Sequence, residues 1–284
     1  MVDDKRLAEN GKSVTLDNGQ EVLYCEFGEE NEEVIVSGAF YFITFNTFLK
    51  ALAKDYHVYG FVMRTSVEGV ETELNEDGTT NWVRQWGKEI YEATQKLGLA
   101  KFHYVGKCHG VMPGWYMVKN HPEVLLSMTS ISQTLHTCDQ GEDKWTELQQ
   151  TEGPQFTLRT LKKHKLLPIK VKEAQIVGTT GTVGENKLDP RVGYYGSHAE
   201  AAFDSYEEVK AFYPTIKTPV LHVFATDDIL YWDFKEANEF AIYNIPGSRT
   251  VILQGERHLM EMDMPVKLAR EVAVFIEGLK LAYE

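Results

Sequence analysis

The amino-acid sequence predicts an α/β protein in which a mostly parallel sheet carries helices on both faces and one long insertion interrupts the alternation. Three observations lead there. Short β-branched runs such as Val34–Phe40 (VIVSGAF) and Val58–Met63 recur between segments with helical spacing, the pattern of strands buried on both faces. Lys101–Gly114 (KFHYVGKCHGVMPG) reads as a strand, a sharp turn bounded by glycines, and a helix. Regular alternation stops after Ser132 and resumes with the strand at Pro219, which divides the chain into a first core part (1–132), an insertion (133–217) and a second core part (218–284).

Taken in order, Ser13–Gly28 shows two β-like runs, SVTL and EVLYCEF, broken by Asp17-Asn18-Gly19, a hairpin signal. Cys25 falls in the second run as a small apolar strand residue. VIVSGAF follows and passes through Ser37-Gly38 into a helix-like segment ending near Lys54. Beyond the strand Val58–Met63 and a loop rich in glutamate and glycine, Asn81–Leu97 sets Trp82, Trp86, Ile90 and Leu97 on one helical face, closed by Gly98. A strand from Val124 to Ile131 leads to the insertion. Alternation then returns with PVLHVFATDD from Pro219, a helix Trp232–Tyr243, the strand RTVILQG, and an amphipathic helix Pro265–Leu281.

Composition excludes several classes. With 43% hydrophobic and 25% charged residues in 284, the chain can bury one large core. A formal charge of −13, spread along the chain, argues against binding nucleic acid or anionic membranes. The N-terminal MVDDKRLAENGK has no apolar stretch, and no apolar run approaches the ~20 residues that span a bilayer. Cysteines at 25, 108 and 138 form neither CxxC nor a His-rich metal pattern, and an odd number suits a reducing compartment. A cytoplasmic protein without metal or cofactor is expected.

The turn at Cys108 carries the chemistry. Gly106, Cys108 and Gly110 make G-x-C-x-G, the nucleophile-elbow pattern with sulfur in place of oxygen. A nucleophile on a tight strand-to-helix turn is held in strained backbone, and glycines two residues away let strand and helix approach. The following helix aims its free N–H groups at the same point, which lowers a thiol pKa from ~8.5 and favours a developing oxyanion.

Together these stations resemble the α/β-hydrolases over nearly the whole chain: a strand end at Ser37-Gly38-Ala39, the elbow at Cys108, an acid after the Pro219 strand and a histidine at His258, in the family's order. The segment GERHLMEMDMPVKLAREVAVFI is similar to the family's closing pattern. The resemblance implies His258 as base, Asp228 as acid with Asp227 as fallback, and the backbone N–H groups of Ala39 and His109 as oxyanion donors. The side chain of His109 is expected to pack or to line the pocket entrance. Ser37-Gly38 departs from the family's usual His-Gly. The cysteine resembles dienelactone hydrolases and polyester synthases, and the insertion resembles capped epoxide hydrolases and carbon–carbon bond hydrolases.

The expected activity is cofactor-free hydrolysis of an activated ester or lactone through an acyl-cysteine, because a thiolate leaves a tetrahedral intermediate easily and only good leaving groups compete with it. A cysteine-dependent acyltransferase with a thioester donor, a carbon–carbon bond hydrolase and a non-catalytic receptor remain open alternatives. Phe40, Trp145, Tyr194, Tyr195 and Trp232 are candidate pocket residues, with Phe203 and Tyr231 beside them. His57, His103 and His222 alternate within strands and read as core or edge residues. The expected partner is a small acyl substrate, aromatic or apolar, and a homodimer is left open.

Overall fold

The computed structural model of the protein describes residues 10–39, 46–64, 74, 81–135, 202–203, 205–228, 231–232 and 234–281. Eight strands form one sheet: β1 (Gly11–Thr15), β2 (Glu21–Phe27), β3 (Val34–Ala39), β4 (His57–Val62), β5 (Phe102–Lys107), β6 (Leu125–Ile131), β7 (Val220–Ala225) and β8 (Arg249–Leu253). They lie in the order β1-β2-β4-β3-β5-β6-β7-β8. The first two pairings are antiparallel and the rest parallel, so β4 to β8 all end on one edge of the sheet. This is the α/β-hydrolase fold.

The hairpin signal works as the residue types demand. Gly19 takes φ +84° and the Leu16 N–H donates to Gln20 at 2.8 Å, closing β1 on β2. Among the described residues the helices are α1 (Asn46–Leu52), α2 (Trp82–Lys96), α3 (Met112–Asn120), α4 (Tyr206–Phe212), α5 (Lys235–Asn244), α6 (Met260–Asp263) and α7 (Pro265–Leu281). The Asn81 side chain caps α2 by accepting from the Arg84 N–H, and the chain leaves that helix through Gly98 at φ +74°.

Alternation within the strands divides the core in two. Val36, Phe61, Phe102 and Tyr104 face Trp82, Trp86 and Ile90 of α2 and Trp115 of α3. Ile35, Val58, Val105, Leu221 and Val223 face Phe48 and Leu49 of α1 and Leu268, Val272 and Ile276 of α7. Each large side chain so buried contributes about 1.5–3 kcal/mol. Val209 and Tyr213 join the first cluster, and the Tyr213 hydroxyl donates to the Leu135 carbonyl at 3.0 Å. Of the expected insertion, 136–201 and 204 lie outside the described residues.

The tightest junction is between β3 and the turn after β5. A Cβ at Gly110 would sit 2.1 Å from the Gly38 carbonyl oxygen, and one at Gly106 would sit 2.3 Å from that of Gly110. Gly110→Ala is therefore expected to cost about 1–3 kcal/mol, since the obstacle is backbone. Gly278→Ala, in α7 with open space around it, is expected to stabilise by a few tenths to about 1 kcal/mol. Denaturant unfolding of both variants checks the pair of opposite signs.

Candidate active site

Cys108 follows β5 directly and adopts φ +52°, the left-handed region that a non-glycine residue enters only when its surroundings hold it there. A short 3₁₀ turn, Cys108–Val111, leads into α3 with Pro113 at its first turn. The Tyr104 hydroxyl donates to the Gly110 carbonyl at 2.8 Å from inside the core and so ties strand to turn. Cys108 is half-buried at the edge where the parallel strands end.

The acid and the histidine arrive from β7 and β8. Asp228 and His258 are both buried, and His258 Nδ1 lies 2.8 Å from Asp228 Oδ2. Their loops are stitched together: the Gly255 N–H donates to Thr226 Oγ1 at 2.8 Å and the Asp227 N–H to the Glu256 carbonyl at 2.9 Å. Asp228, rather than Asp227, meets the imidazole, while the Asp227 carboxylate accepts from Thr226 Oγ1 at 3.2 Å.

The thiol meets two imidazoles. His109 Nδ1 stands 3.4 Å from Cys108 Sγ, and the His258 imidazole acts on the sulfur from the other loop. Burial alone would push the thiol up, yet the two imidazoles hold its pKa well below the usual value. His258 is raised to about 10: burial works against its charge, but Asp228 and the sulfur outweigh that and the opposing Lys107. A lowered thiol beside a raised imidazole favours the thiolate–imidazolium form of the pair.

Two further charges sit beside it. Lys107 Nζ, at the end of β5, lies 3.1 Å from Glu261 Oε1 on α6, and the two side chains are only 9% and 4% exposed. Burial would favour the neutral amine, but Glu261, Cys108 and Asp228 keep the Lys107 pKa above its ordinary value.

The structure thus brings Cys108, His258 and Asp228 together, with β3 closing on the elbow at Gly38 beside Ala39. The His109 side chain reaches the sulfur, where the sequence suggests only packing or an entrance position. Trp232 donates its indole N–H to the Thr226 carbonyl at 2.8 Å, bracing the acid loop. Phe40, Trp145, Tyr194 and Tyr195 lie outside the described residues. Ser37 is fully buried and its hydroxyl has no partner among the described residues. His103 binds Ser127 and Glu33, and His57 binds Glu26, both within the sheet.

Solved structures share this architecture at low identity, which establishes the fold. A protein described as Est816, an N-acyl homoserine lactone degrading enzyme, superposes with a TM-score of 0.64 at 15% identity over 93% of this chain and 100% of its own. The esterase RhEst1 from Rhodococcus sp. ECU1013 gives 0.63 at 15%, over 95% and 100%. The enol-lactonase from Burkholderia xenovorans LB400 gives 0.61 at 15%, over 94% and 100%. No protein-family model and no curated protein matches the sequence.

The charge state of the sulfur predicts its reactivity. Alkylation of Cys108 by iodoacetamide, located by peptide mass, is expected to stay fast well below the ordinary thiol range of ~8.5 and to fall only in acid. His258→Ala removes one of the two imidazoles, so the midpoint of the alkylation profile is expected to rise by about one pH unit.

Proposed function

We propose that the protein hydrolyses activated esters or lactones through a covalent acyl-cysteine, with Cys108 as nucleophile, His258 as proton carrier and Asp228 as its orienting acid. The observation that carries this reading is the thiol on a left-handed elbow beside an imidazole that Asp228 grips at 2.8 Å. Structural neighbours described as an enol-lactonase, an acyl homoserine lactone degrading enzyme and an esterase support the substrate class.

In this reading the Cys108 thiolate attacks the carbonyl carbon and the carbonyl electron pair moves to oxygen, where the amides of Ala39 and His109 receive it. Collapse expels the leaving oxygen, which takes the proton from His258. Neutral His258 then accepts a proton from water as the water oxygen attacks the acyl-cysteine. A second collapse releases the acid and restores the thiolate beside the imidazolium. Asp228 holds the imidazole by Nδ1, leaving Nε2 to face the reacting atoms. Amides are poor substrates here because the thiolate is the better leaving group and the intermediate reverts.

Intact-mass measurement with a panel of phenyl esters, enol lactones and thioesters tests the proposal. A transient adduct of acyl mass is expected, absent in Cys108→Ala and long-lived in His258→Ala; parental turnover in Cys108→Ala overturns it. The kcat/KM profile is expected to fall in acid as the thiolate is protonated and above about pH 10 as His258 loses the proton that the leaving group needs.

A further inference from the structure

Lys107 and Glu261 have no place in the mechanism above, yet they form a buried ion pair touching both halves of the site. A buried pair is weak as a device for stability, because desolving two ions consumes most of what their attraction returns and apolar residues of similar volume serve as well. Its placement is informative. Lys107 directly precedes Cys108, and Glu261 follows His258 by three residues on α6, so a 3.1 Å contact joins positions 154 apart in sequence. Glu261 Oε2 is also buried and has no hydrogen-bond partner among the described residues, so Lys107 supplies the partner that Glu261 has.

Among the described residues, Lys107 is the lysine set into the site. β3 and β6, which flank β5, contain no charged residue. The one charged residue of α3 is Lys119, at its far end and bound to Glu208 and the Ala202 carbonyl. On α1 Lys50 is exposed, on α7 Lys267 and Arg270 are exposed, and Arg257 pairs with Asp263 at the surface. Among the described residues, the ionisable groups set against the sulfur and imidazole are Lys107, Glu261, Asp228, His109 and His258. With thiolate and imidazolium formed, Asp228, Glu261 and the sulfur are set against His258 and Lys107, with the His109 imidazole also beside the sulfur.

We propose that the Lys107–Glu261 pair is a positioning element of the active site, pinning the turn that carries His258 to the elbow that carries Cys108 and setting a fixed cation beside the thiolate. Lys107 acts through its neighbours and touches no reacting atom. Its charge makes a proton less welcome on both the sulfur and the imidazole, while Glu261 acts in the opposite sense. The inference rests on the thiolate reading of Cys108.

Titration of the free protein by pH-dependent alkylation of Cys108, read as peptide mass, tests it without a substrate. Lys107→Met is expected to move the midpoint up by about one pH unit. Glu261→Gln, nearly isosteric, is expected to move it down, Lys107→Arg to keep it near the parent, and Lys107→Met/Glu261→Gln to fall between the single variants. A pair that served only as a structural clamp would loosen the site either way and move both single variants upward. Shifts of the same sign, or none, overturn the proposal, and Glu261→Gln decides it alone if Lys107→Met does not fold. A parent midpoint in the ordinary thiol range of ~8.5 overturns the thiolate reading itself, which a low but unmoved midpoint does not.

Discussion

The site depends on a backbone conformation that the chain does not adopt willingly. A residue with a Cβ at φ +52° costs on the order of 1–3 kcal/mol, and Cys108 stays there because the structure around it leaves no alternative. Gly106 and Gly110 let the turn fold onto itself, Gly38 presents its carbonyl within 2.1 Å of where a Gly110 Cβ would stand, and Tyr104 bonds the turn from below. Two separate core clusters, one on each face of the sheet, support the central strands on which this junction is built.

Sheet topology then determines which side chains meet the sulfur. Because β5, β7 and β8 run parallel, the residues that follow them emerge at the same edge, and Asp228 and His258 reach Cys108 from loops far apart in sequence. The bonds from Gly255 to Thr226 and from Asp227 to Glu256 keep those loops in register with each other. The Lys107–Glu261 contact does the same between the histidine turn and the elbow, in ions rather than amides.

Much of this was legible in the sequence because strand and helix periods, glycines and chain order carry it. VIVSGAF and HVYGFVMR read as buried strands since each is apolar on both faces, and the final helix Pro265–Leu281 has the bounds that its periodicity suggests. Asp228, with Asp227 as fallback, and His258 were singled out by resemblance to the α/β-hydrolases in chain order, not by periodicity. The Lys107–Glu261 pair was not, because MEMD reads as a solvated acidic stretch and nothing local says that a lysine 154 positions earlier is its partner. One signal was present: a lysine closing a central strand, flanked by apolar neighbours on both sides, has no easy route to water. The His109 contact with the sulfur depends on a rotamer, which no spacing encodes.

The interlocked glycines have a further consequence for how such a protein can diversify. Backbone touching backbone at Gly38, Gly106 and Gly110 leaves no slack, so the reactive centre has almost no neighbouring sequence through which to drift. Its chemistry is inherited whole or lost whole. Changes in what the site accepts would have to accumulate in the segments between the strands, so that the junction and its surroundings evolve on different clocks within one chain.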